Sequence, residues 1–407
     1  MKNILLIGQF TDISGYGHAV RSYLKTLSKI KNVHLKCLNF SFEKKETIDP
    51  LVEELSITES LRIKRGNYPD SEIKKIIEYC DQNTEVFFFL PNDWLSFGAG
   101  IDIMNYNNIL NLNLICRRSK HVFPCVVWET DCVSDIWVKG YESLKNIKKL
   151  ICACKWNAQV FREKLNKECI VLPYSVVKSK NYDIEYYKKL RNIKKDSFAF
   201  CNVSQWSNRK GMEELIRSFY LEFINDDVVL FLKTYTSEPM TGKKSTDFLS
   251  KKILEVKNSI SHYGRKNNFK CRVVLIDQIL SKDQINSIYK ISDVYATCTK
   301  GEGFGLPIAE FLVNTDKPVI SPDKGGHLDF IDSNNFFIES SYEPALMSMN
   351  YHYSELEMNY VQVKISSTKA KLREAFISNK EKNYSDLCHK YLSMENNIEI
   401  MKQVLEI

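Results

Sequence analysis

The sequence predicts an α/β protein of two domains, each organised around a parallel sheet. Three observations point there. The 407 residues exceed one ordinary domain and suit two of about 200 residues each. Short β-rich runs alternate with longer helical patterns from end to end. Most of those runs are continuously apolar, as strands buried on both faces of a parallel sheet are. The composition, 44% hydrophobic and 26% charged, is that of a globular chain with a sizeable core.

The first expected strand is 3–7. The start Met1 to Gly8 imitates a secretory segment, but its apolar stretch is too short and 9–16 hold no plausible cleavage site. Strands at 86–90, 122–128, 150–154 and 169–172 continue the first domain. Strands at 198–203, 228–233, 272–276, 294–297 and 318–320 build the second. Helical spacing marks 19–27, 212–223 and 282–291, and the charged stretch 366–405 also reads as helical. A polar, lysine-rich boundary at 173–195 reads as a solvated helix face. The domains are therefore 1–175 and 197–385, joined by a linker at 176–196. No apolar run approaches the roughly 18 residues of a membrane span, so a cytoplasmic protein is expected.

The 12 cysteines are irregularly spaced and include no Cys-x-x-Cys pair. Cys125, Cys152, Cys154, Cys201 and Cys298 fall in apolar segments, where cysteine packs as a small hydrophobe. Reduced thiols are expected, and Cys152 and Cys154, which share a strand face, are read as packing rather than as metal ligands. The net charge of +7 suits an anionic partner, whether nucleotide, membrane surface or nucleic acid, without choosing among them.

The most informative stretch is Gly301-Glu302-Gly303-Phe304-Gly305-Leu306-Pro307-Ile308-Ala309-Glu310. It follows a strand and opens a helix. Its glycines let a ligand approach the backbone N–H groups, and Pro307 suits an early helical position. Such a helix N-terminus is prepared for an anion such as a diphosphate. Glu302 in the loop and Glu310 in the expected first turn suit the hydroxyls of ribose and hexose. Together they read as a sugar-nucleotide site. A second loop, Ser204 to Gly211, carries Arg209 and Lys210, adjacent cations able to neutralise a diphosphate as charge develops on it. In the first domain Ser14-Gly15-Tyr16-Gly17-His18 follows the first strand but lacks the third glycine of a dinucleotide fingerprint, which disfavours a nicotinamide oxidoreductase. Glu129, with Asp131 as its alternative, ends a buried strand at the edge where doubly wound sheets bind ligands. Asn92, Asp93 and Trp94 follow another strand end and could shape an acceptor site.

The 302–310 stretch resembles the Glu-x7-Glu signature of glycosyltransferase family 4, retaining enzymes of the GT-B fold. That resemblance implies two Rossmann-like domains whose parallel sheets face across a cleft, with the closing helix at about 386–407 packing back on the first domain. It places Glu302 by the donor sugar and Glu310 on the ribose. The amides of Gly303, Phe304, Gly305 and Leu306 would hold sugar and phosphate. Lys210, with Arg209, would bind the donor phosphates, and Gly15 and Gly17 would approach them. Ile279 would meet the base, and Glu129 would stand near the reacting sugar. The chain departs from the family at Ser204 and Gln205, where many members carry an arginine.

The implied reaction moves a sugar from a UDP- or GDP-sugar to an acceptor hydroxyl with retention. Same-face attack, assisted by the departing phosphate, is expected, since no residue is a convincing covalent nucleophile. No Asp-x-Asp pair occurs, so neither a metal nor another cofactor is expected. The acceptor is read as a glycan or glycolipid precursor, with hydroxylated or sugar-modified DNA as an alternative. A non-catalytic sugar-nucleotide-binding module is the reading of another class. The basic stretches Arg117 to His121 and Lys145 to Lys149 offer peripheral membrane or nucleic-acid contact.

Overall fold

A computed structural model describes residues 1–12, 14–39, 49–58, 70–89, 114–142, 144–236, 243–261, 268–345, 358–378 and 383–407. The chain forms two compact units, Met1–Val176 with Leu392–Ile407, and Val177–Tyr391. Among the described residues no helix is long and apolar enough to cross a membrane.

The first unit holds a six-stranded parallel sheet among the described residues. Its strands are β1 (Lys2–Gly8), β2 (Val33–Asn39), β3 (Thr84–Phe89), β4 (His121–Val126), β5 (Leu150–Cys152) and β6 (Cys169–Val171). They lie in the order β2-β1-β3-β4-β5-β6. Ile4 to Ile7 are fully buried, and the Phe87 and Phe123 rings stack at 4.7 Å on neighbouring strands. The chain leaves β1 toward one side and later returns to its other side as β3. That reversal opens a crevice at the carboxyl ends of these two strands, where such sheets bind ligands.

The second unit repeats the plan with β7 (Phe198–Val203), β8 (Val228–Lys233), β9 (Arg272–Ile276), β10 (Val294–Ala296), β11 (Val319–Pro322) and β12 (Phe336–Ile338). The order β12-β11-β10-β7-β8-β9 is that of a dinucleotide-binding sheet, with its switch point between β7 and β10. A hairpin of β13 (Ser340–Pro344) and β14 (Asn359–Val363) is added to it.

Helix Met212–Phe223 shows why these segments fold as they do. Met212, Leu215, Ile216, Phe219, Tyr220 and Phe223 recur at three- and four-residue spacing and are all buried. Glu213 and Glu214 occupy the first turn, where the helix dipole favours acids. Phe223 lies 5.5 Å from Phe200 of β7. The Arg373 guanidinium lies 4.8 Å from the same ring and also bonds Glu222 at 2.7 Å and Asp226 at 2.8 Å.

Some expected boundaries move. The strand expected at 122–128 stops at Val126, because the Trp128 amide and carbonyl are taken by the Asn157 side chain instead of a neighbouring strand. The one expected at 150–154 stops at Cys152, since the Cys154 thiol accepts from the Asn157 amide and opens helix Lys155–Leu165. Residues 176–196 include helix Ile184–Lys194, capped by Asp183 and held against helix Lys282–Ile291 through Ser287, which donates to the Asp183 carbonyl at 2.9 Å. The closing segment divides. Helix Asp386–Tyr391 belongs to the second unit, whereas helix Met394–Leu405 belongs to the first, where Asn397 donates to the Pro173 carbonyl at 2.7 Å. Asn92, Asp93 and Trp94, like Leu90, lie outside the described residues. None of the twelve cysteines is joined in a disulfide; eleven are buried and Cys132 is half-buried.

Removing the fully buried Phe219 ring by Phe219→Ala should cost about 4 kcal/mol, read as a lowered urea midpoint of the second unit's transition.

Candidate functional site

The second unit gathers its expected residues, Ile279 apart, at the β7/β10 switch point. Only two register pairs join β7 to β10, and the buried Asn202 side chain extends the junction by donating to the Ala296 carbonyl at 2.8 Å. The loops beyond these strands then stay together. The Lys300 amide donates to the Arg209 carbonyl at 2.6 Å, and the Arg209 guanidinium donates to the Gly301 carbonyl at 2.7 Å. Lys210 Nζ lies 2.5 Å from Glu302 Oε1, with both side chains largely buried. Lys300 braces the loop from behind, bonding Asn208 at 2.9 Å and Glu214 at 2.7 Å.

Gly211 follows the cations with φ of +61°, and a Cβ there would meet the Cys298 carbonyl oxygen at 1.9 Å. No side chain could occupy that position, so the two loops approach at backbone distance.

Helix Leu306–Thr315 begins after Gly305 with Pro307 near its start, and no side chain caps it. Its N-terminus therefore offers partial positive charge beside Arg209 and Lys210. Because the helix starts at Leu306, Glu310 is its fifth residue and lies beyond the expected first turn. Tyr289 donates its hydroxyl to Glu310 Oε2 at 3.4 Å.

The two glutamates are tuned in opposite directions. Burial pushes the Glu302 carboxyl up, but the Lys210 and Arg209 charges outweigh it and hold the group below its ordinary value. For Glu310 burial wins over Lys282 and Tyr289, and its pKa is raised. Ile279, beyond β9, is 88% exposed.

His327 was not among the expected residues. It is buried; its Nε2 lies 3.0 Å from the Pro322 carbonyl and therefore donates, which leaves Nδ1 as the lone-pair nitrogen. Burial lowers its pKa and keeps it neutral. The preceding Gly326 amide donates to the Glu302 carbonyl at 2.7 Å, so this turn fixes the Glu302 backbone. The only trace of it in the sequence is the Gly325-Gly326 pair after a strand.

In the first unit Gly15 and Gly17 sit at the carboxyl end of β1 and open helix Gly15–Ser28. Their roles separate. A Cβ at Gly17 would lie 1.9 Å from the Asp12 carbonyl oxygen, whereas one at Gly15 meets nothing within 4 Å. Gly17 thus closes the loop on itself, and Gly15 leaves open space. The missing third glycine is replaced by Gly8, whose absent Cβ would strike Val20 of the helix at 2.5 Å. Arg21, which no pattern marked, ties the loop by donating to the carbonyls of Phe10 at 2.5 Å and Asp12 at 2.8 Å. Glu129 and Asp131 stand in the loop beyond β4, which the Trp128 indole (2.7 Å) and the Thr130 hydroxyl (2.9 Å) organise by donating to the Cys132 carbonyl.

The basic stretches lie at the opposite, amino-terminal edge of the same sheet, where β4 and β5 begin. Lys148 pairs with Glu406 at 2.7 Å and Lys149 with Glu168 at 3.1 Å, while Arg117, Arg118 and Lys120 are exposed. Among the described residues no group of three His, Cys, Asp or Glu side chains is placed to hold a metal ion.

No family model matches the chain, and no curated protein matches it in sequence. Solved structures do resemble it over their whole length. Sucrose-phosphate synthase from Thermosynechococcus elongatus superposes with a TM-score of 0.64 at 13% identity, covering 100% of this chain and 98% of that one. A glycosyltransferase from Rickettsia africae gives 0.63 at 15% identity, covering 100% and 99%. Anabaena HepE in complex with UDP and glucose gives 0.62 at 11% identity, covering 100% of both chains. At such identities the likeness establishes the fold, which is GT-B.

Two outcomes are expected from the glutamates. Lys210→Met strands a buried carboxylate and should cost about 3 kcal/mol, most of which Glu302→Gln restores in the double variant, as a double-mutant cycle of unfolding free energies would read. The pH dependence follows the signs of the two shifts. The Glu302 contribution is present above the ordinary value of 4.5 and is lost as pH falls through its depressed folded value. The raised Glu310 acts oppositely, stabilising below 4.5 and losing that contribution as pH rises through its folded value. Glu310→Gln should therefore raise the neutral-pH melting temperature of the ligand-free protein, with the gain vanishing below pH 4.5 in a melting series.

Proposed function

We infer that the protein is a retaining glycosyltransferase, similar to family 4, that moves a sugar from a UDP- or GDP-sugar to an acceptor hydroxyl. One observation carries this reading. Two loops at a single switch point bring Arg209, Lys210, an uncapped helix N-terminus, Glu302 and Glu310 together. Cations and helix amides suit a diphosphate, and carboxylates suit hydroxyls. The fold relatives add support: Anabaena HepE is described with UDP and glucose, and the other two relatives are a glycosyltransferase and a sucrose-phosphate synthase.

In this reading the diphosphate takes up Lys210 and Arg209, and Glu302, released from its partner, accepts from the donor sugar. Glu310 accepts from the ribose. As the anomeric bond breaks, negative charge grows on the diphosphate, where fixed cations and the helix terminus stabilise it without rearranging. A departing phosphate oxygen takes the acceptor proton, the new bond forms on the face being vacated, and the configuration is retained. The same groups do the work of a metal ion, so we propose metal independence. Glu129 contributes near the reacting sugar, Gly15 and Gly17 line the phosphate approach, and Ile279 meets the base. The acceptor is proposed to be a glycan or glycolipid.

A nucleoside diphosphate that binds only the folded state should add about 2.7 kcal/mol at 100 times its Kd. Thermal melts with UDP, GDP, ADP and NAD should show stabilisation by UDP or GDP, lost in Lys210→Ala and Glu310→Ala. No effect of any diphosphate, or an effect of NAD alone, would remove the donor site. With a donor in hand, EDTA should leave turnover intact, and an inverted product anomer by NMR would refute retention.

A further inference from the structure

Lys233 ends β8, one strand from the loop that carries Arg209 and Lys210. Only 8% of it is exposed. Its carbonyl accepts from the Ser204 amide at 3.1 Å, so it adjoins the start of that loop, where the sequence offers Ser204 and Gln205 rather than a cation. Its ammonium reaches forward past the strand end, 5.7 Å from the centre of the Tyr235 ring. Among the described residues it makes neither an ion pair nor a hydrogen bond. The acid nearest in influence, Asp277, accepts from the Thr246 hydroxyl instead. Burial lowers the Lys233 pKa, and Asp277 only partly opposes the shift.

An isolated, desolvated ammonium is costly. Its neighbours differ from it: Lys210 is matched by Glu302, Lys300 by Glu214, and Arg209 donates to a carbonyl. Lys233 is thus a largely buried ammonium held at the ligand edge of the sheet with no carboxylate bonded to it among the described residues, between the loop beyond β7 and the Asp277-to-Ile279 segment beyond β9.

We propose that Lys233 binds the diphosphate of the nucleotide donor, supplying the cation absent from Ser204 and Gln205. This rests on the donor-site reading above. It assigns the buried charge a partner that arrives with the ligand, and it makes Lys233 a binding residue with no stabilising role in the empty protein.

Isothermal titration of UDP, GDP, uridine and guanosine into the full chain tests this, comparing wild type, Lys233→Met, Lys233→Arg and Glu310→Gln. Lys233→Met should weaken the bound diphosphate about 10-fold or more while leaving the matching nucleoside unchanged. Lys233→Arg should stay within about 3-fold of wild type, because the charge is kept. Glu310→Gln should weaken diphosphate and nucleoside alike. The ligand-free Lys233→Met protein should melt no lower than wild type, an outcome a merely structural lysine would reverse. Lys233→Gln, which removes the charge but keeps a polar end, carries the same expectation for binding.

Unchanged diphosphate affinity in the variant, or equal loss of diphosphate and nucleoside, would overturn the assignment while the donor site stands. A folded wild type that binds neither UDP nor GDP would overturn the donor site and this assignment with it.

Discussion

The strand order of the second sheet reverses between β7 and β10, and the short pairing at this switch point governs what the unit can bind. Asn202 carries the strand junction one step past its last register pair. Beyond it the Arg209 carbonyl, the Arg209 guanidinium and the Lys210 ammonium are each taken by the facing loop. Gly211 makes the approach possible by having no side chain where the Cys298 carbonyl stands. Two loops that would otherwise be independent surface connections therefore behave as one wall. A wall with both signs of charge on it can hold a ligand that is anionic at one end and hydroxylated at the other.

Legibility in the sequence followed burial. The ranges expected for β7 and β8 match the observed strands end to end, because central parallel strands are apolar on both faces and their ends stand out; the edge strand β9 matches too, through its unbroken run Val273-Val274-Leu275-Ile276. β2 escaped notice because His34 and Lys36 break its apolar run; it is an edge strand of its sheet, with His34 exposed and Val33 and Lys36 half-buried. The short edge strand β12 and the β13–β14 hairpin carry too few buried residues to announce themselves.

The candidate site divides in the same way. Glycines, glutamates and adjacent cations at fixed spacing could be read directly. The ion pair between Lys210 and Glu302 could not, since 92 residues separate its partners. Nor could the opposite tuning of Glu302 and Glu310, which depends on neighbours that only folding supplies. Lys233 was hidden for a further reason. A lysine closing an apolar strand reads as the point where the chain meets solvent, and only the packing around β8 shows it held inside.

Twelve cysteines outside any disulfide make the protein its own reporter of opening. A small thiol-reactive probe meets the half-buried Cys132 first and meets the other eleven only when the surrounding structure gives way. Cys201, Cys271, Cys298 and Cys388 belong to the second unit and the rest to the first. Labelling followed thiol by thiol would thus time the breathing of each unit separately, without any dye or label having to be engineered in.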